Sequence, residues 1–252
     1  MPRDALVRVL CTAGPGGVTL LCAPAGSGKT VLLRSWAASG VSGDRIAWAS
    51  VEPGEHDAQR FWPTLIDKLA AAMGDVGLVE RVGAASPYCT NDVIERLLSD
   101  LRALQEPTVL VIDDLHELRS AGALRLLERF LIRVPAQLTV VLATREEPQL
   151  ALHRLRLAGT LTEIRGPDLR FSLHETRDLL EMSGITLSDD AVALLHERTE
   201  GWVAGLRLAA ISLTGHPDPE RFVREFSGSE RTVAGYLMAE VLEHQPREVR
   251  DV

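Results

Sequence analysis

The stretch from Val18 to Leu33, VTLLCAPAGSGKTVLL, restricts the fold more than any other part of the chain. An apolar run of strand length stops at a glycine-rich loop, and apolar residues at helical spacing follow at once. Within it, Ala23-Pro24-Ala25-Gly26-Ser27-Gly28-Lys29-Thr30 fits the pattern G-x-x-x-x-G-K-[ST], with alanine in the first place. In such a loop, successive backbone N–H groups and the positive end of the next helix surround phosphate oxygens, so bulky side chains would obstruct the approach. Gly26 and Gly28 leave the room. Lys29 is expected to reach the β- and γ-phosphates as a mobile point charge, and the Thr30 hydroxyl to ligate Mg²⁺. Residues Ala23 through Val31 are the expected nucleotide-binding set. Lys68 is the only other lysine.

Around this motif, strands alternate with helices. Arg45 to Val51 suits a strand, and Asp57 can cap a helix that carries Phe61, Leu65 and Leu69 on one face. Ile94, Leu97, Leu98, Leu101 and Leu104 form an amphipathic stripe ended by Pro107. Thr108 to Ile112 is then apolar throughout, as in a strand buried on both faces. Ser120 can cap a helix bearing Leu124, Leu127 and Leu131. Beyond Pro135 come Leu138 to Ala143, another fully apolar strand, and Leu161 to Ile164, a fifth. This order predicts an α/β fold to about Arg165, a parallel sheet flanked by helices.

After Gly166 only helices are expected. Ser172-x-x-Glu175 is a capping box, Ser188 precedes two aspartates, and Asp218-Pro219 puts proline at the first helical position. Trp202, Leu206, Ala209 and Leu213 share one helix face, which reads as core. Ser229 starts a further helix through about Glu243, and Gln245 opens one more that the chain cuts off.

Val109-Leu110-Val111-Ile112-Asp113-Asp114 ends an apolar strand on two carboxylates. A phosphate loop needs such a group: Asp113 would hold Mg²⁺, and Asp114 could polarise the attacking water. Asp114 is alternatively a helix cap or turn residue. Arg145 stands at the tip of the next strand, where it could sense a γ-phosphate, or it is one of many surface arginines. Asp114 and Arg145 are therefore the catalytic candidates. His116 reads as a satisfied polar residue. Gly14-Pro15-Gly16-Gly17 precedes its strand and so is not a dinucleotide turn, and neither H-E-x-x-H nor G-x-S-x-G occurs.

Length and composition limit the rest. The 252 residues suit one large domain, or one ordinary domain plus a smaller one, and 46% hydrophobic with 25% charged residues is ordinary globular composition. A net charge of −8 argues against a nucleic-acid or anionic-membrane surface. Cys11, Cys22 and Cys89 show neither a disulfide framework nor zinc spacing. With no signal peptide or membrane-length apolar run in the sequence, the expected location is the cytoplasm.

Taken together, APAGSGKTVLL, VLVIDDLHEL, VLATREEP, LRFSLHETRDLL and TEGWVAGLRLAAISL resemble the STAND class of signal-transducing NTPases. The nearest likeness is to the nucleotide-binding module of the large LuxR-like, MalT-type bacterial transcription regulators, over essentially the whole chain. The resemblance implies an ASCE-type P-loop core with a five-stranded sheet over 1–165, a helical lid over 166–228 and the start of a winged-helix domain over 229–252. It accepts Ala23 in the loop, and it assigns Asp113 to Mg²⁺, Asp114 to catalysis and Arg145 to the γ-phosphate. Pro2-Arg3 resembles an adenine-side segment. The implied function is a switch held closed by ADP, opened for self-association by ATP and a signal, and reset by slow hydrolysis. The sensor and the DNA-binding helix-turn-helix would lie in other parts of such a polypeptide. Rival readings are a constitutive ATPase motor, a small-molecule kinase, and a nucleotide-bound scaffold without turnover.

Overall fold

The computed structural model describes residues 3–40, 45–52, 58–74 and 91–226. They fall into two compact units. One comprises Arg3–Ala23 and Lys29–Arg165, the other Pro24–Gly28 with the chain from Gly166 onward.

The first unit is built on five strands: β1 (Val18–Cys22), β2 (Arg45–Ser50), β3 (Thr108–Asp113), β4 (Leu138–Thr144) and β5 (Leu161–Arg165). Each lies where the apolar runs predict it, and every pairing is parallel, in the order β2-β3-β4-β1-β5. The register sets Cys22 opposite Thr144 and Ser50 opposite Asp113, so the carboxyl ends of these strands finish at one edge. All six residues of β3 are buried, as a strand covered on both faces requires.

Helices α1 (Asp4–Cys11), α2 (Lys29–Ala38), α3 (Ala58–Met73), α4 (Asn91–Arg102), α5 (Ala121–Leu131) and α6 (Leu152–Leu157) belong to this unit. Leu97, Leu98 and Leu101 of α4 and Leu127 of α5 are fully buried, which places the predicted stripes in the core. Trp62 meets Phe61 and Phe130 edge to face in this core, with ring centroids 5.5 and 5.9 Å away. Ser120 caps α5, its hydroxyl accepting the Ala123 N–H. The proposed Asp57 cap lies outside the described residues. Helices α1 and α6 have no counterpart in the sequence reading. Helix α1 has just one buried residue, Leu10, and α6 is six residues long, too short to show a period.

The second unit contains α7 (Gly166–Leu169), α8 (Leu173–Met182), α9 (Asp189–Thr199), α10 (Val203–Leu213) and α11 (Pro219–Glu225). Its core gathers Leu180, Val192, Leu195, Leu206, Leu213 and Val223. The capping box at Ser172 and Glu175 forms in both directions, and Ser188 and Asp218 cap α9 and α11. The winged-helix assignment and its two helices fall on 229–252, outside the described residues.

Candidate nucleotide-binding site

In the sheet unit, the residues singled out by the sequence meet at the carboxyl edge. Lys29 opens α2 and is only 7% exposed. Its ammonium donates to the Ala23 carbonyl at 2.6 Å. Burial lowers its proton affinity and the Arg145 guanidinium lowers it further, while Asp114 and Asp113 oppose both.

Asp113, 2% exposed, ends β3. Its Oδ2 accepts the Thr30 hydroxyl at 3.0 Å, and its Oδ1 accepts the Asp114 N–H at 3.0 Å. Burial pushes the carboxyl's proton affinity up, as does the adjacent Asp114, against those two hydrogen bonds and Lys29. The arrangement joins a hydroxyl from the first turn of α2 to a carboxylate from β3. Both are hard oxygen donors, so the pair fits a small divalent cation that keeps part of its water shell.

Asp114 has left-handed backbone angles, φ 54 and ψ 38, and heads the 3-10 turn Leu115–Glu117 without a side-chain capping bond. A non-glycine residue there is strained by about 1–3 kcal/mol. The carboxylate is thus a turn residue by position, yet it is not spent as a cap. Arg145, half-buried, follows Thr144, whose hydroxyl donates to the Glu146 carbonyl at 2.8 Å and pins the turn. Val31 is 72% exposed on α2.

The loop Pro24–Gly28 packs within the helical unit. Gly26 (φ 71) and Gly28 (φ 83) adopt conformations that L side chains rarely take. The Ser27 hydroxyl donates to the Pro24 carbonyl at 2.8 Å. Two carbonyls of the loop are taken by the start of α10: Gly26 accepts the Ala204 N–H at 3.0 Å, and Ala25 accepts the Trp202 indole N–H at 3.2 Å. The first of these satisfies a donor that α10, with no side-chain cap, would leave unpaired.

The family model of the AAA ATPase domain matches residues 3–142. This chain belongs to the AAA ATPase domain family. It resembles the HTH-type transcriptional regulator MalT of Klebsiella pneumoniae, at 28% identity over 255 residues, which cover 99% of the chain and 28% of that protein. MalT of Yersinia pestis matches at 28% identity over 98% of the chain. The chain thus spans about 28% of the length of these curated relatives. Among solved structures, the Walker-type ATPase PABY2304 of Pyrococcus abyssi aligns with a TM-score of 0.62 at 18% identity, over 96% of this chain and 75% of that one. The ORC1 protein of Aeropyrum pernix, solved in complex with DNA, aligns at 0.51 and 20% identity, over 98% of this chain and 69% of that one. These likenesses are of fold.

In this AAA ATPase domain, β4 lies between β1, which leads into the loop, and β3, which carries Asp113. One residue departs from its sequence reading. His116, taken as a satisfied polar residue, has no hydrogen-bond partner on either ring nitrogen among the described residues. Its position in a 3-10 turn after a positive-φ residue fixes that environment, and sequence has no signal for it. The sequence also gave no warning of a cavity of about 410 Å³ in the helical unit, lined by Ser27, Leu169, Arg170, Arg198, Glu200 and Trp202 among others. Among the described residues, no helix is long and apolar enough to cross a membrane, and no group of three or more His, Cys, Asp or Glu could hold a metal ion.

Proposed function

We propose that this chain is the ATP- and ADP-binding switch module of a MalT-type transcriptional regulator, a STAND-class ATPase whose slow Mg²⁺-dependent hydrolysis sets its conformation and self-association. The observation that carries this reading is the Thr30–Asp113 hydrogen bond beside buried Lys29. A helix-start hydroxyl, a strand-end carboxylate and a desolvated ammonium brought to one edge suit a magnesium–polyphosphate far better than they suit a stable core. The domain matches support the ATPase part, and the MalT likeness supports the regulatory part. The position of β4 between β1 and β3 supports an ASCE-type core.

The proposed domains are a core over 1–165, a lid over 166–228 and the start of a winged helix over 229–252. Thr30 and Asp113 would hold Mg²⁺, which supplies neutralising charge to phosphate oxygens when bound. In the loop from Ala23 to Thr30, Ala23 spends its N–H on the Thr144 carbonyl and Pro24 has none, so the backbone N–H groups from Ala25 onward orient the phosphates, with Val31 continuing the helix behind them. Lys29 exchanges its bond to the Ala23 carbonyl for phosphate oxygens. Asp114, kept free of a capping bond, orients the attacking water and takes its proton. Arg145 meets the terminal phosphate, so ATP and ADP leave it in different places, and only such differential contacts can shift a two-state equilibrium. The wall of Leu169 and Trp202 beside Ser27 suits the nucleoside.

Single-turnover release of phosphate from Mg-ATP tests the hydrolytic part. Asp114→Asn should bind ATP with near wild-type affinity and slow release by about tenfold or more. Wild-type protein that binds ATP and releases no phosphate would instead be a scaffold. Turnover at tens per second without any signal would be a motor.

A further inference from the structure

His116 has no role in the scheme above. It sits three residues beyond Asp113, in the 3-10 turn that Asp114 heads. Its side chain is 8% exposed and neither ring nitrogen has a hydrogen-bond partner among the described residues, although Nε2 lies 3.4 Å from Glu117 Oε1. Native proteins satisfy almost all buried polar groups, so an exception of this kind calls for a partner. The ring also lines a cavity of about 390 Å³ together with Thr144, Glu146, Leu118 and Leu124. Thr144 ends β4, and Arg145 follows it.

Charge links the ring to the phosphate end of the site. Arg145 lowers the proton affinity of both Lys29 and His116, and Asp114 raises that of both. The imidazole therefore shares the electrostatic surroundings of the phosphate-binding lysine while standing apart from the loop in sequence. Burial, with Arg145 next, lowers its proton affinity from the usual histidine value. The ring is neutral near pH 7 and offers one acceptor and one donor nitrogen.

We propose that His116 is a positioning residue for hydrolysis: when a triphosphate is bound, its ring accepts an N–H of Arg145 and fixes the guanidinium in the orientation that meets the terminal phosphate. This rests on the nucleotide reading above. Two features favour Arg145 as the partner. The cavity lined by His116 is also lined by Thr144 and Glu146, the residues on either side of Arg145. The turn that carries Arg145 is anchored by the buried Thr144 hydroxyl, so a small change in the guanidinium's orientation needs no movement of the strand. His116 acts through Arg145 and touches no substrate atom.

The experiment compares wild type with His116→Leu, which keeps apolar bulk and removes both nitrogens, and His116→Gln, which restores an acceptor. His116→Leu should keep ADP affinity within about twofold while single-turnover hydrolysis at saturating ATP slows on the order of tenfold to a hundredfold, the effect of misorienting one contact. His116→Gln should recover part of the rate. In wild type, the ring ¹⁵N resonances of His116 should move with a non-hydrolysable ATP analogue and stay in place with ADP. Equal rates in wild type and both variants, or equal ring shifts with analogue and ADP, would overturn the assignment. If His116→Leu does not fold, His116→Gln and the ring resonances decide. Wild type that binds neither nucleotide would sink the nucleotide reading itself, whereas wild type that binds both without turning over leaves the ring shifts as the deciding measurement.

Discussion

In the helical unit, most helices begin where a side chain caps them. Ser172 with Glu175, Ser188 and Asp218 each satisfy a backbone N–H at the start of α8, α9 and α11, and their apolar faces close one core. The carboxyl edge of the sheet unit breaks the corresponding rules. There a lysine and an aspartate are buried, a second aspartate takes left-handed backbone angles, and the ring nitrogens of a buried histidine have no hydrogen-bond partner among the described residues. The helical unit has its own exceptions, at the start of α10. Glu200 has φ 48 in the turn before α10, and α10 is capped by the Gly26 carbonyl in place of a side chain. Thr19 Oγ1, Trp36 Nε1 and Trp62 Nε1 are also buried without a hydrogen-bond partner among the described residues, so what sets the strand ends apart is their buried charges and the left-handed Asp114, and not an unpaired atom alone. Such departures from otherwise consistent local preferences are expected at functional sites, where stability is given up for a ligand.

The largest effect should come from the apolar core of the sheet unit. Trp62→Ala removes a fully buried indole packed on Phe61 and Phe130, and should cost about 3–5 kcal/mol in chemical denaturation. A loss under about 1 kcal/mol would mean that this cluster is not the core of the sheet unit.

Arg145→Ala comes next and probes the inconsistent edge. Truncation removes charge-assisted bonds available to ATP and absent with ADP, so ATP affinity should fall by about 1.5–3 kcal/mol, roughly ten- to a hundredfold, with ADP affinity unchanged. Equal weakening of both would place the guanidinium on the diphosphate or make it structural.

Asp113→Asn should act in the opposite direction on stability. The amide oxygen can still accept the Asp114 N–H and its nitrogen can donate to Thr30, while the buried charge disappears. The nucleotide-free protein should gain about 0.5–2 kcal/mol at neutral pH and lose the Mg²⁺ dependence of nucleotide binding. The sign follows from Asp113's raised proton affinity in the fold. The folded state holds this proton more tightly than the unfolded chain, so the wild-type penalty is complete above the folded pKa and is relieved as pH falls toward the ordinary aspartate value. The stability gap between variant and wild type, followed by thermal melts, should therefore narrow on acidification. A gap that widened would show that the carboxylate is stabilising, and the contrast between edge and core would fail at its most buried charge.

Much of this was legible in the sequence because it rests on short-range patterns. The five strands announce themselves as apolar runs bounded by polar or glycine residues. The capping residues sit at fixed offsets, and the loop motif needs its glycines at Gly26 and Gly28 for conformational reasons. Other features depend on contacts between distant residues. The Thr30–Asp113 bond spans 83 positions, and the Trp202–Ala25 bond spans 177. Nor does any sequence pattern distinguish His116, buried and without a hydrogen bond among the described residues, from a surface histidine. Helix α6 is too short for periodicity to reveal it.

Everything proposed for the edge depends on Lys29 being buried for a phosphate. Calorimetric titration of Mg-ADP and a non-hydrolysable Mg-ATP analogue into wild type and Lys29→Ala addresses this directly. Wild type should bind both. The variant, having lost the loop's only charge on the β-phosphate while keeping its fold, should bind both more weakly by about two orders of magnitude or more, the loss expected from a charged hydrogen-bonding partner. Folded Lys29→Ala that bound either nucleotide as tightly as wild type would contradict the assignment of the loop.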